Sequence, residues 1–448
     1  MAQTSQHQNI VATLPPESPP GSTASGAVPG LAHSCAPAAP GDVAGTPAEG
    51  RPAQPAARRR LVGIDAARGV ALVGMMSVHL ITPATEDGDV TLAWLLSNGT
   101  ASALFALLAG VGIAFTSGGR RPVRGLAWRA SALSLLTRAV IIAAVGLALG
   151  YVIGTDDAAV ILAYYGVMFA LTIPFLRLST RGLAIAAGVV AIGAPILSQV
   201  LRSGMAPVEE TNPTLTDLVT HPLALLSQLT LTGVFPAMVW LAYLLAGMAA
   251  GRALLSSRRV VGQITLIGLA LALGAKLVSM LLMTIGGGGS ALRTDALQSM
   301  DFEDYQDTLI WGPTGTTPTN SSWWLATVAP HSGSPLDMVF TIGVALAVLG
   351  ACLLLGRGLQ PLLRPLAAAG SMTLTLYSAH LLMVAAPITR GVGNWVVQVL
   401  LVVTFALLWS RMHARGPLEE LVWRITGGVR RKVLASAGAH RAPDAGSA

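Results

Sequence analysis

Residues 63–80 are GIDAARGVALVGMMSVHL, an apolar stretch that carries the ionisable residues Asp65, Arg68 and His79. Its length is close to the ~20 residues that a helix needs to cross a bilayer. About ten stretches of similar character follow one another along the chain. The whole sequence of 448 residues is 53% hydrophobic and 11% charged, which excludes an ordinary water-soluble enzyme. The sequence therefore predicts an all-α, polytopic bundle of about ten transmembrane helices.

The predicted spans lie at 62–83, 92–117, 130–153, 158–176, 181–201, 230–254, 260–285, 335–356, 365–387 and 393–411. Arg residues precede the first span and follow every second one, whereas the alternate loops carry Asp and Glu. Loops rich in Arg or Lys stay in the cytoplasm. We therefore expect both termini to be cytoplasmic, in a multi-pass protein of the plasma membrane.

The regions outside the spans differ in composition. Residues 1–57 are rich in Pro, Ala, Gly and Ser and lack an apolar run, which predicts a disordered cytoplasmic tail. The transmembrane domain is then 58–413, with a long external loop at 286–334 that is either functional or disordered. Residues 414–448 form a basic cytoplasmic tail, whose amphipathic part predicts a helix on the inner leaflet.

Charge and cysteine content narrow the class of partner. The 28 basic and 21 acidic residues give a net charge of +7, but they sort by membrane side, so we expect a lipid bilayer and no nucleic acid as partner. Cys35 and Cys352 are too few for a disulfide framework or a Cys-based zinc site. The histidines lack HxxxH or HxH spacing, so no metal is expected. The oligomeric state stays open, with a homo-oligomer among the alternatives.

The first helix carries the richest set of ionisable side chains. Asp65, Arg68 and His79 fall within an arc of roughly 60° on one helical face. Ionisable groups inside a bilayer are costly and mark functional sites. His79 is a candidate general base because imidazole takes and returns a proton near neutral pH; a hydrogen-bonded packing role is the alternative. Asp65 and Arg68 can pair at i, i+3, or act as a helix cap and a cytoplasmic anchor.

The ninth predicted helix has a second polar stripe. Thr373, Tyr377 and His380 share one face, expected in the external half of the bundle. They are either site residues or an interhelical hydrogen-bond network. His331, which precedes the eighth span, either forms a structural turn and caps that helix or enters the site with Asp337.

Two further cations lie inside predicted spans. Arg138 is about 12 Å into the third span. It either balances an anionic cofactor or extends its side chain to the interface. Lys276, in the seventh span, is a weaker candidate for a general base.

Three segments resemble a known family. RLVGIDAARGVALVGMMSVHL, residues 60–80, resembles the opening helix of bacterial membrane proteins related to heparan-alpha-glucosaminide N-acetyltransferase, with its D-x-x-R-G motif. LTLYSAHLL, residues 374–382, resembles the Tyr-x-x-His helix of that family. RGPLEELVWR, residues 415–424, resembles the C-terminal signature of the related DUF418 (YeiB-like) proteins. The likeness extends over about 60–430.

The resemblance implies a transmembrane acyltransferase fold, in which an acyl-CoA enters a central tunnel from the cytoplasm and an acceptor arrives from the other side. Asp65, Arg68, His79, Tyr377 and His380 match family motif positions. The hypothesis is transfer of an acetyl or short acyl group from acetyl-CoA or another acyl-CoA to a hydroxyl or amine of a cell-envelope saccharide or lipid-linked acceptor.

In this hypothesis the polar residues divide into two groups. His79 is the general base, and Tyr377 or His380 orients it or donates to the oxyanion. Asp65, Arg68 and Arg138 form the cofactor-binding group, in which the arginines bind the phosphates of CoA.

Two other functions stay open at this point. One is a proton-coupled transporter or flippase of an anionic solute, with His79 and His380 as the proton relay. The other is a noncatalytic membrane partner of envelope-synthesis enzymes.

Overall fold

The computed structural model describes residues 61–205, 211–313, 315–386 and 389–439. This part of the chain contains helices and no strand, and the helix content is 74%. The predicted all-α class is therefore confirmed. The predicted disordered tail, 1–57, lies outside the described residues.

The α-helices are α1 (Val62–Leu80), α2 (Leu92–Ser97), α3 (Thr100–Thr116), α4 (Gly125–Leu149), α5 (Leu162–Thr172), α6 (Thr180–Arg202), α7 (Leu215–Thr220), α8 (Pro222–Ser227), α9 (Ala237–Arg252), α10 (Arg258–Thr284), α11 (Gly288–Ala296), α12 (Phe302–Ile310), α13 (Pro335–Leu355), α14 (Gln360–Gly370), α15 (Thr373–Val384), α16 (Val392–Met412) and α17 (Pro417–Ala439). Short 3-10 helices cover Ile173–Arg177 and Ser322–Ala326, and a π-helical turn covers Gln228–Thr232.

Six helical segments of the described chain are long and apolar enough to cross a membrane, with α2 and α3 together forming the first: Leu92–Thr116, Gly125–Leu149, Thr180–Arg202, Arg258–Thr284, Pro335–Leu355 and Val392–Met412. Two bent pairs raise the number to eight if each is one span. They are Pro222–Thr232 with Ala237–Arg252, bent by 53°, and Gln360–Gly370 with Thr373–Val384, bent by 70°. The protein is thus a multi-pass membrane protein, but the predicted ten spans are not confirmed.

The two remaining predicted spans are helical but fall outside this set. In α1, the three ionisable side chains lower the mean hydropathy of an otherwise apolar segment. The segment Leu162–Arg177 is apolar but shorter than the others. Both predicted segments are thus helices. The polarity of α1 and the short length of Leu162–Arg177 distinguish them from the six long apolar helices.

Helix α1 is the centre of the bundle. It packs against α2, α3, α13, α14, α15 and α16. Glycines allow the closest of these contacts, because a Cβ at Gly370 would overlap the carbonyl oxygen of Asp65 and a Cβ at Gly69 would overlap the carbonyl oxygen of Leu366. The polar face of α1 is therefore held against α14 and the neighbouring α15.

The C-terminal helix fixes the start of α15. Oε1 of Glu419, in α17, accepts hydrogen bonds from the backbone N–H groups of Leu374 (2.6 Å) and Thr375 (3.2 Å). Its Oε2 accepts another from Oγ1 of Thr375 at 2.6 Å. These bonds satisfy N–H groups that the first turn of a helix leaves without partners. Helix α17 also packs on α4, and its predicted position on the inner leaflet stays a prediction.

The predicted loop 286–334 is partly helical. It contains α11, α12 and the 3-10 helix Ser322–Ala326. These pieces enclose a small core of their own, made by Leu292, Ala296, Tyr305 and Trp324. The loop is therefore a folded substructure, and its last residues lead into α13.

Candidate functional site

Three side chains from three helices form a hydrogen-bonded row near the C-terminal end of α1. Nδ1 of His79 lies 3.0 Å from Nε2 of His380 in α15. Nδ1 of His380 lies 3.0 Å from Oε1 of Gln398 in α16. The two imidazole rings are nearly parallel, with centroids 5.3 Å apart and an interplanar angle of 8°, so the two nitrogens meet edge to edge, as a hydrogen bond in the ring plane requires. His380 is 0% exposed and Gln398 is 3% exposed, so water does not compete for the bond between them.

A cavity of about 350 Å³ opens beside this row, and we call it the histidine cavity. His79 lines it from α1, Tyr377 from α15, and His331 from the loop before α13. The rest of the wall is mostly apolar and includes Trp94, Phe235 and Trp311. No carboxylate is among the lining residues that the structure describes. The cavity is therefore aromatic and uncharged around its histidines.

His331 reaches the histidine cavity through a left-handed backbone. Its φ is +55°, a value that few residues other than glycine adopt. Its Nε2 accepts a hydrogen bond of 3.1 Å from the backbone N–H of Gly99, at the junction of α2 and α3. Burial lowers the pKa of His331 to about 4, so its ring is neutral at pH 7. His331 thus forms a structural turn and also lines the cavity with His79.

The loop that ends in α13 is fixed over the same cavity. Nδ2 of Asn98 donates a hydrogen bond of 3.2 Å to the carbonyl oxygen of Trp311. Gly312 has a φ of +88°, and a Cβ there would overlap the carbonyl oxygen of Pro330. The predicted external loop therefore supplies one wall of the cavity.

A second cavity, of about 390 Å³, lies toward the N-terminal end of α1. We call it the arginine cavity, since Arg68 of α1, Arg138 of α4 and Arg415 before α17 all line it. Glu419 is also in the lining, but its oxygens are already bonded to the first turn of α15. The three guanidinium groups give this cavity a positive character.

The arginines differ in their partners. Nη1 of Arg68 lies 3.1 Å from Oδ1 of Asp65, which is the i, i+3 pair that the sequence predicts. Nη1 of Arg415 lies 3.1 Å from Oε2 of Glu420. Two of the three cations are therefore partly neutralised within the described chain.

Arg138 forms no such ion pair, although the charge of Glu419 acts on it. Its guanidinium carbon lies 5.4 Å from the centroid of the Phe169 ring. Among the described residues it forms no ion pair, and its buried Nε has no hydrogen-bond partner. An unpaired guanidinium that lines a cavity is suited to an anionic group of a ligand.

Tyr377 is common to both cavities. Its hydroxyl lies 3.5 Å from the carbonyl oxygen of Ala159, at the outer limit of a hydrogen bond. Its ring centroid is 6.4 Å from that of Phe105, which is 6.1 Å from Tyr165. This aromatic group stands between the arginines and the histidines.

The other predicted residues lie elsewhere. Thr373 lines the arginine cavity, so the polar stripe of α15 extends from one cavity to the other. Oδ2 of Asp337 accepts a hydrogen bond from the N–H of Gly333 and lines neither cavity. Nζ of Lys276 lies 4.9 Å from the ring centroid of Phe340, also outside both.

Gln398 and Arg415 are site residues that were not predicted from the sequence. Gln398 is a polar amide in the apolar run VVQVLLVV, and a polar side chain in a span is a signal for an interhelical bond. Arg415 is one of several basic residues after the last predicted span, and nothing in its spacing separates it from them. The described residues contain no group of three His, Cys, Asp or Glu side chains that could hold a metal ion.

Comparison with known proteins identifies the family. The model of the catalytic region of heparan-alpha-glucosaminide N-acetyltransferase matches residues 60–284, which is half of the chain. The match includes His79, Arg68 and Arg138 and ends with α10, before Tyr377 and His380. No curated protein sequence matches the chain. The protein therefore belongs to the family of heparan-alpha-glucosaminide N-acetyltransferase catalytic domains.

Proposed function

We propose that the protein is an integral-membrane acyltransferase, which moves an acetyl or short acyl group from acyl-CoA to a hydroxyl or amine of a cell-envelope saccharide or similar acceptor. The observation that carries this proposal is the shared position of Tyr377. The side chain of Tyr377 lines both the arginine cavity and the histidine cavity, and His79 lines the latter. A group-transfer enzyme with an anionic donor and an uncharged acceptor needs such a site with two ends.

The arginine cavity is the proposed donor end. CoA carries phosphates, which guanidinium groups bind through paired, charge-assisted hydrogen bonds. Arg138 has unmet donors, and Arg68 can exchange part of its contact with Asp65 for a phosphate. Arg68 and His79 are 11 residues apart on α1, a rise of about 16 Å. The flexible arm of CoA would bridge that distance and bring the thioester toward Tyr377.

The histidine cavity is the proposed acceptor end. The acceptor oxygen or nitrogen attacks the thioester carbonyl carbon, and His79 takes its proton. The C–S bond of the tetrahedral intermediate then breaks as the carbonyl re-forms. The CoA sulfur leaves as a thiolate and receives the proton that His79 holds. The products are the acylated acceptor and free CoA.

Tyr377 is the proposed donor to the oxyanion. Its hydroxyl lies 3.5 Å from the carbonyl oxygen of Ala159 and also contacts the backbone of Ile161, and a ligand's oxyanion would replace these contacts. His380 is occupied on both ring nitrogens, by His79 and by Gln398. The role of orienting His79 therefore suits His380, and the oxyanion role suits Tyr377.

The test is acyl transfer by the purified protein in proteoliposomes loaded with envelope saccharides, followed with radiolabelled acetyl-CoA. We expect His79→Ala to lower transfer by about 10²- to 10⁴-fold, the usual contribution of a general base. His221→Ala is the matched control, because His221 is exposed and lines neither cavity. Flux of an anionic solute without acetyl-CoA, and no transfer with it, would support a transporter instead.

A further inference from the structure

We infer that Gln398 is a positioning residue, which fixes the tautomers of His380 and His79 so that the lone pair on Nε2 of His79 faces the histidine cavity. The catalytic meaning of this arrangement rests on the proposed function. The tautomers themselves can be measured without any activity.

Gln398 is the buried end of the row. Oε1 of Gln398 is a carbonyl oxygen and can only accept a hydrogen bond. Nδ1 of His380, 3.0 Å away, must therefore carry the proton. A neutral imidazole has one N–H, so Nε2 of His380 is an acceptor. At 3.0 Å from it, Nδ1 of His79 must be the donor.

The open end of the row follows from the same rule. If Nδ1 of His79 carries the proton, its Nε2 carries a lone pair. The described chain offers that nitrogen no hydrogen-bond partner, and His79 lines the histidine cavity. Nε2 is thus the one atom of the row that is free to take a proton from an acceptor group.

The amide of Gln398 selects between two opposite states. With Oε1 toward His380, each N–H of the row points toward Gln398 and His79 is a base. With the amide turned by 180°, Gln398 would donate to His380, His380 would donate to His79, and Nε2 of His79 would carry a proton. His79 could then donate a hydrogen bond but could not take a proton from the acceptor. The buried Nε2 of Gln398 has no hydrogen-bond partner among the described residues, so the bond to His380 is what distinguishes the two amide orientations, and the tautomers report which one is present.

The neutral amide of Gln398 is also suited to a reaction in which His79 takes a proton from the acceptor and later returns it to the leaving thiolate. When His79 becomes an imidazolium, its Nδ1–H still donates to His380, so no bond in the row has to break. Gln398 has no site for a second proton and cannot take the charge from the histidines. The proton therefore stays next to the cavity, where the leaving thiolate would need it.

The direct test is ¹⁵N NMR of the detergent-solubilised full chain with labelled histidines, at a pH where the histidines are neutral. His79→Gln and His380→Gln variants assign the two pairs of signals. We expect both residues to have protonated Nδ1 and unprotonated Nε2, although the Nε2–H tautomer is the commoner one in water. Protonated Nε2 in both residues would overturn the inference, and so would a mixture of tautomers.

Two substitutions extend the test to activity. Gln398→Glu keeps an acceptor oxygen toward His380, so it should keep the Nδ1–H tautomers. Because its carboxylate can also take the proton that the amide cannot, transfer should fall below wild type. Gln398→Leu removes the acceptor and should mix the tautomers. It should also lower kcat by about 10-fold, the equivalent of one hydrogen bond, with KM for acetyl-CoA unchanged. Gln263→Leu, at an exposed position of α10, is the matched control.

The outcomes separate the two proposals. Nδ1–H tautomers in a protein without acyl transfer would contradict the proposed function and leave the role of Gln398 in the row intact. Normal transfer and unchanged tautomers in a folded Gln398→Leu protein would contradict the role of Gln398 alone.

Discussion

The arginine cavity and the histidine cavity lie at opposite ends of the polar face of α1 and handle polarity in opposite ways. At the first, three cations on different segments line about 390 Å³, and Arg138 has no ion pair among the described residues. At the second, His79 belongs to a row of side chains, His79, His380 and Gln398, that are hydrogen-bonded to one another without a carboxylate. Unpaired charge is suited to binding an anion, whereas a bonded neutral row is suited to moving one proton.

This contrast assigns different kinetic roles to the two ends. A change in the arginine cavity should act on donor affinity, and a change in the histidine cavity should act on the chemical step. Tyr377 belongs to both, so it is the residue at which the two roles meet.

After His79→Ala, the largest effect is expected at Tyr377. Tyr377→Phe keeps the ring between the cavities and removes the hydroxyl. We expect kcat to fall by about 10²-fold, as for removal of one oxyanion donor, with KM for acetyl-CoA within two-fold of wild type. Steady-state kinetics in proteoliposomes measures both. A change in KM alone would show that Tyr377 is only part of the donor-binding wall.

A pH dependence of stability is expected from His331. Its pKa in the folded protein is about 4, below the ordinary 6.5, so the unfolded chain binds the proton more tightly. Stability is therefore complete above about pH 6.5 and falls as the pH decreases toward 4, by about 2 kcal/mol at pH 5. His331→Asn tolerates a positive φ and does not titrate. Thermal unfolding should show a smaller loss of stability between pH 7 and pH 5 in this variant than in wild type. Equal losses would contradict the assignment of this pH dependence to His331.

The donor end is probed by Arg138→Gln. Loss of a charge-assisted bond to phosphate should raise KM for acetyl-CoA by about 10-fold and change kcat little. Arg411→Gln is the matched control, since Arg411 is exposed at the end of α16 and lines neither cavity. Equal effects of the two substitutions would remove the assignment of this cavity to the donor.

The smallest effect concerns the support of α15, the helix that carries both Tyr377 and His380. Glu419→Gln keeps the shape of the side chain but removes the charge at the helix N-terminus. We expect a loss of about 1 kcal/mol in unfolding free energy, visible as a lower melting temperature. Glu86→Gln, in an exposed turn, should leave the melting temperature unchanged. A melting temperature unaffected by both would mean that Glu419 is not a helix cap in solution.

Much of the site could be predicted from α1 alone. Ionisable residues in an apolar helix are conspicuous, and helical geometry places Asp65, Arg68 and His79 on one face without knowledge of the partners. The pairing of Asp65 with Arg68 is local in sequence and was predicted. The contact of His79 with His380 joins residues 301 positions apart, so the shared site needed the packing of α1 against α15.

What the sequence could not provide depends on backbone detail. The 70° bend between α14 and α15 lies within one predicted span, and the helix start that follows it is bonded to Glu419, 44 residues after Thr375. The loop 286–334 was predicted without internal structure, although its short helices and the left-handed His331 form a cavity wall. Such features arise from contacts between distant segments and leave no hydrophobic period to detect.

The most direct measurement is calorimetric titration of the purified protein with acetyl-CoA, in wild type, Arg138→Gln and His79→Ala. We predict saturable binding that weakens by about 10-fold in Arg138→Gln and is unchanged in His79→Ala, because binding and proton transfer lie at separate ends of the site. No binding at millimolar acetyl-CoA, or equal weakening in both variants, would contradict a donor cavity separate from the histidine row.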